Sequence, residues 1–107
     1  MNRGEVWWVE FDPAVGSEIR KTRPAVIVSN NTSNRYLARV QVVPLSSNVE
    51  RIYPSETVVT IAGQRSKIMA DQIMTADKRR LKQTMGKLSQ ADMQAVDGII
   101  QLQLGLV

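Results

Sequence analysis

A chain of 107 residues has the length of one domain, 1–107, and can bury a core without covalent staples. It has no cysteine, which excludes a disulfide scaffold and thiol chemistry, and no histidine, which removes the commonest general base and metal ligand. Fourteen Lys and Arg stand against ten Asp and Glu, a net charge of +4, and any catalysis must draw on Arg, Lys, hydroxyl or carboxylate side chains.

The opening stretch MNRGEVWWVE lacks the apolar segment of a secretory signal. No stretch approaches the roughly 20 apolar residues of a membrane span, so the expectation is a cytoplasmic protein without a membrane partner. Residues 5–11, EVWWVEF, are aromatic and β-branched and predict a strand with Trp7, Val9 and Phe11 on one face. A polar loop follows over 12–22, where Asp12-Pro13 and Gly16-Ser17 signal turns. Residues 24–29 then read as a strand buried on both faces, opened by Pro24. The segment NNTSNRYLA predicts a turn with a short helical piece, and 37–45 resumes the strand pattern. After a loop over 46–55, two more strands, 56–61 and 66–74, flank a turn at Ala62-Gly63-Gln64.

The last third changes period. TADKRRLKQTMG predicts a short helix capped by Thr75, with Lys78 in its first turn and Gly86 at its end. SQADMQAVDGIIQLQL predicts a longer helix. Ser89 and Asp92 approximate a capping box, and Met93, Val96, Ile100 and Leu104 form an apolar stripe widened by Ile99. About five short strands and a terminal helix point to a mainly β protein with a C-terminal helix, folded as a small, partly open antiparallel barrel.

Charge and chemistry concentrate at a few places. Residues 19–40 carry five cations and no acid, and residues 65–87 carry seven cations against Asp71 and Asp77. Such segregation suggests a polyanion partner, nucleic acid first; a solvated basic surface is the alternative. Arg23 stands at a strand mouth, and Pro24 narrows its backbone toward extended conformations. A guanidinium held there suits a phosphate; an exposed ion pair with Glu18 or a loop carboxylate is the alternative. Ser46 and Ser47 follow a strand end, where hydroxyls bond a phosphoryl oxygen or simply make a turn. Asp71 alternates with Met69 and Ile73 in an apolar strand, and a carboxylate buried there calls for a partner such as Arg23 or backbone N–H groups. Tyr53, beside Pro54 in a loop, is the best candidate for stacking on a base; Trp7 and Trp8 fit a core or interface better.

The blocks RGEVWWVEFDPAVGSE, RPAVIVSNN, VVPLSSN, YPSETVV, ADQIMT and GKLSQADMQAVDGII occur in the order found in the MazF/PemK toxins, and the chain resembles that family over nearly its whole length. The resemblance implies an SH3-like barrel shared with the CcdB gyrase poisons. It implies a homodimer that cuts single-stranded RNA without a cofactor or metal and is blocked by a cognate antitoxin. It places the catalytic pair on Arg23 and Ser46, with Ser47 and Asp71 in support. Arg20, Lys21, Arg65, Lys67 and Tyr53 become the expected RNA contacts. Ser46 stands where many members have Thr, Met69 replaces an Arg found in some, and the first loop lacks the His that others use. A CcdB-like gyrase poison and a non-catalytic RNA-binding module are the rival readings.

Overall fold

Two apolar runs form the centre of the sheet. Ala25, Val26 and Ile27 are wholly buried, and so are Val42 and Val43. Because successive strand residues face opposite ways, such runs must be covered on both sides. Val26, Val43 and Leu45 enter one core cluster, with Val6, Val59, Ile68 and Val96. Ala25, Ile27 and Val42 enter a second, with Val9, Phe11 and Val40.

The computed structural model describes residues 1–107. Its elements are β1 (Glu5–Glu10), β2 (Thr22–Ile27), α1 (Asn31–Tyr36), β3 (Arg39–Ser46), β4 (Glu56–Ile61), β5 (Gln64–Met69), β6 (Met74–Asp77), β7 (Leu81–Lys87) and α2 (Gln90–Gln103). The pairings are antiparallel, in the order β4-β5-β3-β2-β1-β7, with β6 also on β3. The end strands β4 and β7 are not hydrogen-bonded neighbours, so the sheet curls without closing. Helix α2 packs against β4 and the turn at 70–72.

Strand β1 is irregular. Val9 and Phe11 are buried with Trp7 packed beside them, as the alternation predicts, and Val6, on the opposite face, is buried in the other cluster; the β1–β7 register shifts between Val6 and Trp7 and again between Trp8 and Val9. Pro24 lies within β2 at the mouth of the sheet: the β2–β3 ladder begins only at Ala25, paired with Pro44. Asn30 caps α1 by accepting a hydrogen bond from the Ser33 N–H at 2.8 Å, which bears out the short helical piece.

Two predicted elements are corrected. The strand expected over 66–74 is broken by one 3₁₀ turn, Ala70–Gln72. Strands β5 and β6 both run along the same strand, β3, at Leu45–Ser46 and Arg39–Val42 respectively. The chain leaves the ladder beside Val43 and Pro44, and proline has no N–H to offer a ladder. The helix expected over 75–86 is instead the end of β6, a single 3₁₀ turn at Lys78–Arg80, and β7. Asp77, not Thr75, caps that turn, accepting from the Arg79 N–H at 2.9 Å, while Thr75 Oγ1 accepts from Gln41 Nε2 across the sheet. The apolar positions there, Ala76 and Leu81, cover the core from two strands. The polar residues between them form the 3₁₀ turn, and those after Leu81 form the exposed edge strand β7, whose Lys82 and Lys87 discourage pairing with other chains.

The terminal helix forms as predicted. Ser89 accepts from the Asp92 N–H at 3.1 Å. Asp92 does not complete the capping box; its carboxylate accepts from the Thr60 N–H of β4 at 3.0 Å and ties helix to sheet. Met93 and Val96 are buried and Ile100 partly so, whereas Leu104 lies past the helix end and is exposed.

Candidate active site

The antiparallel register explains why Arg23 and Ser46 meet. Ala25 pairs with Pro44, so two residues further along each strand Arg23 comes level with Ser46. Val9 backs Arg23 from β1, and Lys67 backs Ser46 from β5. Neither of these two outer residues is needed to bring the pair together.

Arg23 is exposed, and no carboxylate lies within ion-pair distance of it. The alternative partner, Glu18, turns instead to the Val15 N–H, with its Oε1 at 2.6 Å. Arg23 Nε donates to the Arg20 carbonyl at 3.3 Å, which orients the guanidinium and leaves its terminal nitrogens without a hydrogen-bond partner in the protein. Ser46 is half-buried at the end of β3, and its Oγ accepts from the Asn48 N–H at 3.2 Å. That oxygen keeps its proton free to donate.

These residues line a cleft of about 460 Å³. Lys21, Thr22, Arg23, Ser46 and Ser47 make its polar side. Trp8, Pro24, Leu45, Ile61 and Met85 make an apolar wall, and Gln64 and Ser66 of β5 lie on its border. A cleft that combines free cations and hydroxyls with an aromatic residue suits a nucleotide, whose phosphate and base need different environments. A wider hollow of about 720 Å³ lies beyond the other end of β2, lined by Met1, Asn31, Arg35, Tyr36 and Lys78. It holds neither Arg23 nor Ser46, and size alone does not make it the reactive site.

The cleft thus unites Arg23, Ser46, Ser47 and Lys21, and excludes the other sequence candidates. Arg20 is on the loop behind, where its Nη2 donates to the Gly16 carbonyl at 2.7 Å. Arg65 and Lys67 alternate with the inward Ser66 and Ile68 and face outward from β5. Lys67 is already engaged: its Nζ pairs with Glu56 Oε1 at 3.1 Å, donates to the Arg51 carbonyl at 3.0 Å, and lies 5.6 Å from the Tyr53 ring centroid. Asp71 is a correction. It is exposed on the 3₁₀ turn, not buried in a strand, and it borders a separate hollow beneath the first loop with Phe11, Pro13 and Ile19, not the cleft of Arg23. The break in the strand moved it to a different face.

Trp8, Thr22, Gln64, Ser66 and Met85 were not predicted as cleft residues. Alternation along β1 already set Trp8 apart from Trp7 and Val9. Nothing local could have drawn Gln64 and Met85 together, since they come from β5 and β7, with three strands between them in the sheet order.

Residues 2–104 match the family described as PemK-like, MazF-like toxin of type II toxin–antitoxin system. The chain is 37% identical to Endoribonuclease MazF9 of Mycobacterium tuberculosis, an alignment covering 99% of this chain and 98% of the relative. Its fold superimposes on MazF from Deinococcus radiodurans with a TM-score of 0.87 and 25% identity, covering 98% of this chain and 96% of the other. It matches an endoribonuclease in complex with its cognate antitoxin from Mycobacterial species with a TM-score of 0.84 and 27% identity, over 100% of this chain and 97% of that one. The half-open barrel with a C-terminal helix, and a family match spanning nearly every element of it, lead to one conclusion: the chain belongs to the PemK-like, MazF-like toxins of type II toxin–antitoxin systems.

Proposed function

We propose that this toxin is an endoribonuclease that cuts single-stranded RNA in the Arg23–Ser46 cleft. The observation that carries the reading is Arg23: a guanidinium with no carboxylate partner, oriented by the Arg20 carbonyl and level with a serine hydroxyl. An oriented cation without a counter-ion has unspent capacity to bind a phosphate.

In this reading the RNA's own 2′-OH attacks the adjacent phosphorus. The 2′-OH gives its proton to water as it attacks, the bond from phosphorus to the 5′ oxygen of the next nucleotide breaks, and that oxygen takes a proton from water and leaves as a 5′-OH. The product upstream is a 2′,3′-cyclic phosphate. Charge grows on the phosphoryl oxygens in the transition state, where Arg23 and the Ser46 hydroxyl stabilise it. Arginine as a residue type holds its proton tightly, so the role of Arg23 is electrostatic rather than that of a base. Ser47 and Lys21 hold the flanking phosphate oxygens. Arg20 and Arg65 add longer-range attraction to the strand, and Tyr53, braced by Lys67, offers a stacking face outside the cleft. Asp71 supports the site only through the first loop, above the hollow it borders.

The partners follow the same reading. An antitoxin covers the basic cleft face, in keeping with the complex seen for the Mycobacterial relative. Leu102, Leu104, Leu106 and Val107 are at least half exposed at the end of α2, an apolar surplus that a second copy of the chain would cover. No helix is long and apolar enough to cross a membrane, and the toxin acts on RNA in the cytoplasm.

The test is incubation of the purified chain with end-labelled single-stranded RNA in EDTA. Cleavage leaving 5′-OH ends supports the proposal, and substrate with a 2′-deoxy sugar at the cut should stay intact. Relaxed DNA supercoiling with intact RNA would favour a gyrase poison instead.

A further inference from the structure

Only two residues other than glycine have positive φ in this chain, Lys21 at 65° and Ala62 at 51°. Both border the same cleft. Lys21 lines it directly, and Ala62 sits between Ile61, which lines it, and the Gly63-Gln64 step that delivers Gln64 to it. A side chain in this region of backbone space is strained, and such strain survives where the surroundings over-determine the conformation.

At Ala62 the geometry has an identifiable result. Ile61 pairs with Gln64, so Ala62 and Gly63 form the two-residue tip of the β4–β5 hairpin, and both have positive φ, 51° and 76°. Tight turns of this kind match the twist of the strands and lock their register. Gln64 is the first residue after the turn. Its backbone is held in the ladder, while its amide is exposed at the cleft border and makes no side-chain hydrogen bond. Trp8 also lines the cleft, 37% exposed, a large aromatic residue on β1 paired in register with Pro24, the neighbour of Arg23. A cleft built for phosphate alone has no use for an exposed indole or for an unpaired amide on a rigid hairpin.

We infer that this cleft also reads one nucleobase: the base beside the scissile phosphate stacks on Trp8, and the Gln64 amide hydrogen-bonds to its edge. The inference rests on the ribonuclease reading above and assigns it a source of sequence selectivity. Stacking is tolerant of base identity, so Trp8 contributes affinity. An amide on a rigid hairpin carries one acceptor and one NH₂ donor at a fixed spacing and favours the base that brings a donor and an acceptor to those two atoms, so Gln64 contributes discrimination. Unstacked single-stranded bases are open to such reading.

The experiment maps 5′-OH ends over a randomised RNA pool for the wild type, Gln64→Ala, Gln64→Glu and Trp8→Phe. The wild type should prefer certain bases at one position flanking the cut. Gln64→Ala should flatten that preference by about tenfold, within the span measured for a paired base contact, chiefly by slowing cleavage at the preferred base. Gln64→Glu, which can only accept, should shift the preference toward bases presenting two donors. Trp8→Phe keeps an aromatic face and should raise KM more than it lowers kcat. Titration with an uncleavable 2′-O-methyl RNA should quench tryptophan fluorescence in the wild type and in Trp7→Phe, and less in Trp8→Phe. If the wild type cleaves and all three variants share its base preference and KM, base reading by this cleft is wrong while the ribonuclease reading stands. If the wild type cuts no RNA, both fall together.

Discussion

Replacing Arg23 by lysine separates charge from geometry at the proposed centre. Arg23 is exposed and its one hydrogen bond, Nε to the Arg20 carbonyl at 3.3 Å, is long, so the substitution should cost the fold less than about 0.5 kcal/mol. What the substitution removes is the fork. In arginine one nitrogen is anchored to the Arg20 carbonyl while two others remain to meet two phosphoryl oxygens; a lysine ammonium is a single point that can do one or the other. Losing one oriented donor to a developing oxyanion typically costs about 10²–10³ in rate, which is about 2.7–4 kcal/mol of transition-state stabilisation. Ground-state affinity should change much less, because Lys21 lines the same cleft and other cations surround it. The assay is single-turnover cleavage of a short fluorogenic RNA, with affinity measured separately on its 2′-O-methyl analogue. A drop of two to three decades in the chemical step with affinity held within severalfold is the expected result. A lysine variant that cuts at the wild-type rate would refute the placement of Arg23 at the phosphate.

Ser46→Ala removes one neutral donor from the same transition state and should slow the chemical step by about tenfold, less than Arg23→Lys, with an unchanged circular dichroism spectrum. Asp71→Asn should alter cleavage by less than about fivefold, because an exposed carboxylate outside the cleft contributes little across water; a loss as deep as that of Arg23→Lys would show that Asp71 reaches the centre after all. Glu56→Gln leaves Lys67 as a largely buried cation with no carboxylate, the pair's side chains being 13% and 7% exposed, and should cost about 3 kcal/mol in a urea titration. The Arg79 side chain and N–H hold the Asp77 carboxyl below its ordinary range. Its contribution to stability is therefore complete above the usual carboxylate pKa and lost as pH falls through the depressed value, so Asp77→Asn should flatten the acid limb of a stability–pH profile by lowering its neutral plateau slightly, with stability at the lowest pH unchanged.

Much of this protein is local. The buried run Ala25–Ile27, the opening strand, the caps at Asn30 and Ser89 and the helix stripe from Met93 to Ile100 are properties of short segments, and periodicity and capping chemistry reveal them because the forces involved act between near neighbours. Arg23 before Pro24, and Ser46 at a strand end, were legible for the same reason. The errors lie where a long-range contact overrode a local preference. TADKRRLKQTMG has helix-forming residues, yet it pairs with β3 and β1 because Ala76 and Leu81 are needed to cover the core from two strands. The 66–74 segment alternates like one strand, but it leaves the ladder beside Val43 and Pro44, and that detour carried Asp71 off to another face. The composition of the cleft was beyond local reading altogether. Trp8, Gln64 and Met85 come from three strands, and only the strand pairing and the curl of the sheet bring an indole and an amide to the cleft of Arg23 and Ser46. A residue's type and backbone bias are written in its neighbours along the chain, whereas the company its side chain keeps depends on which distant strands the core draws together.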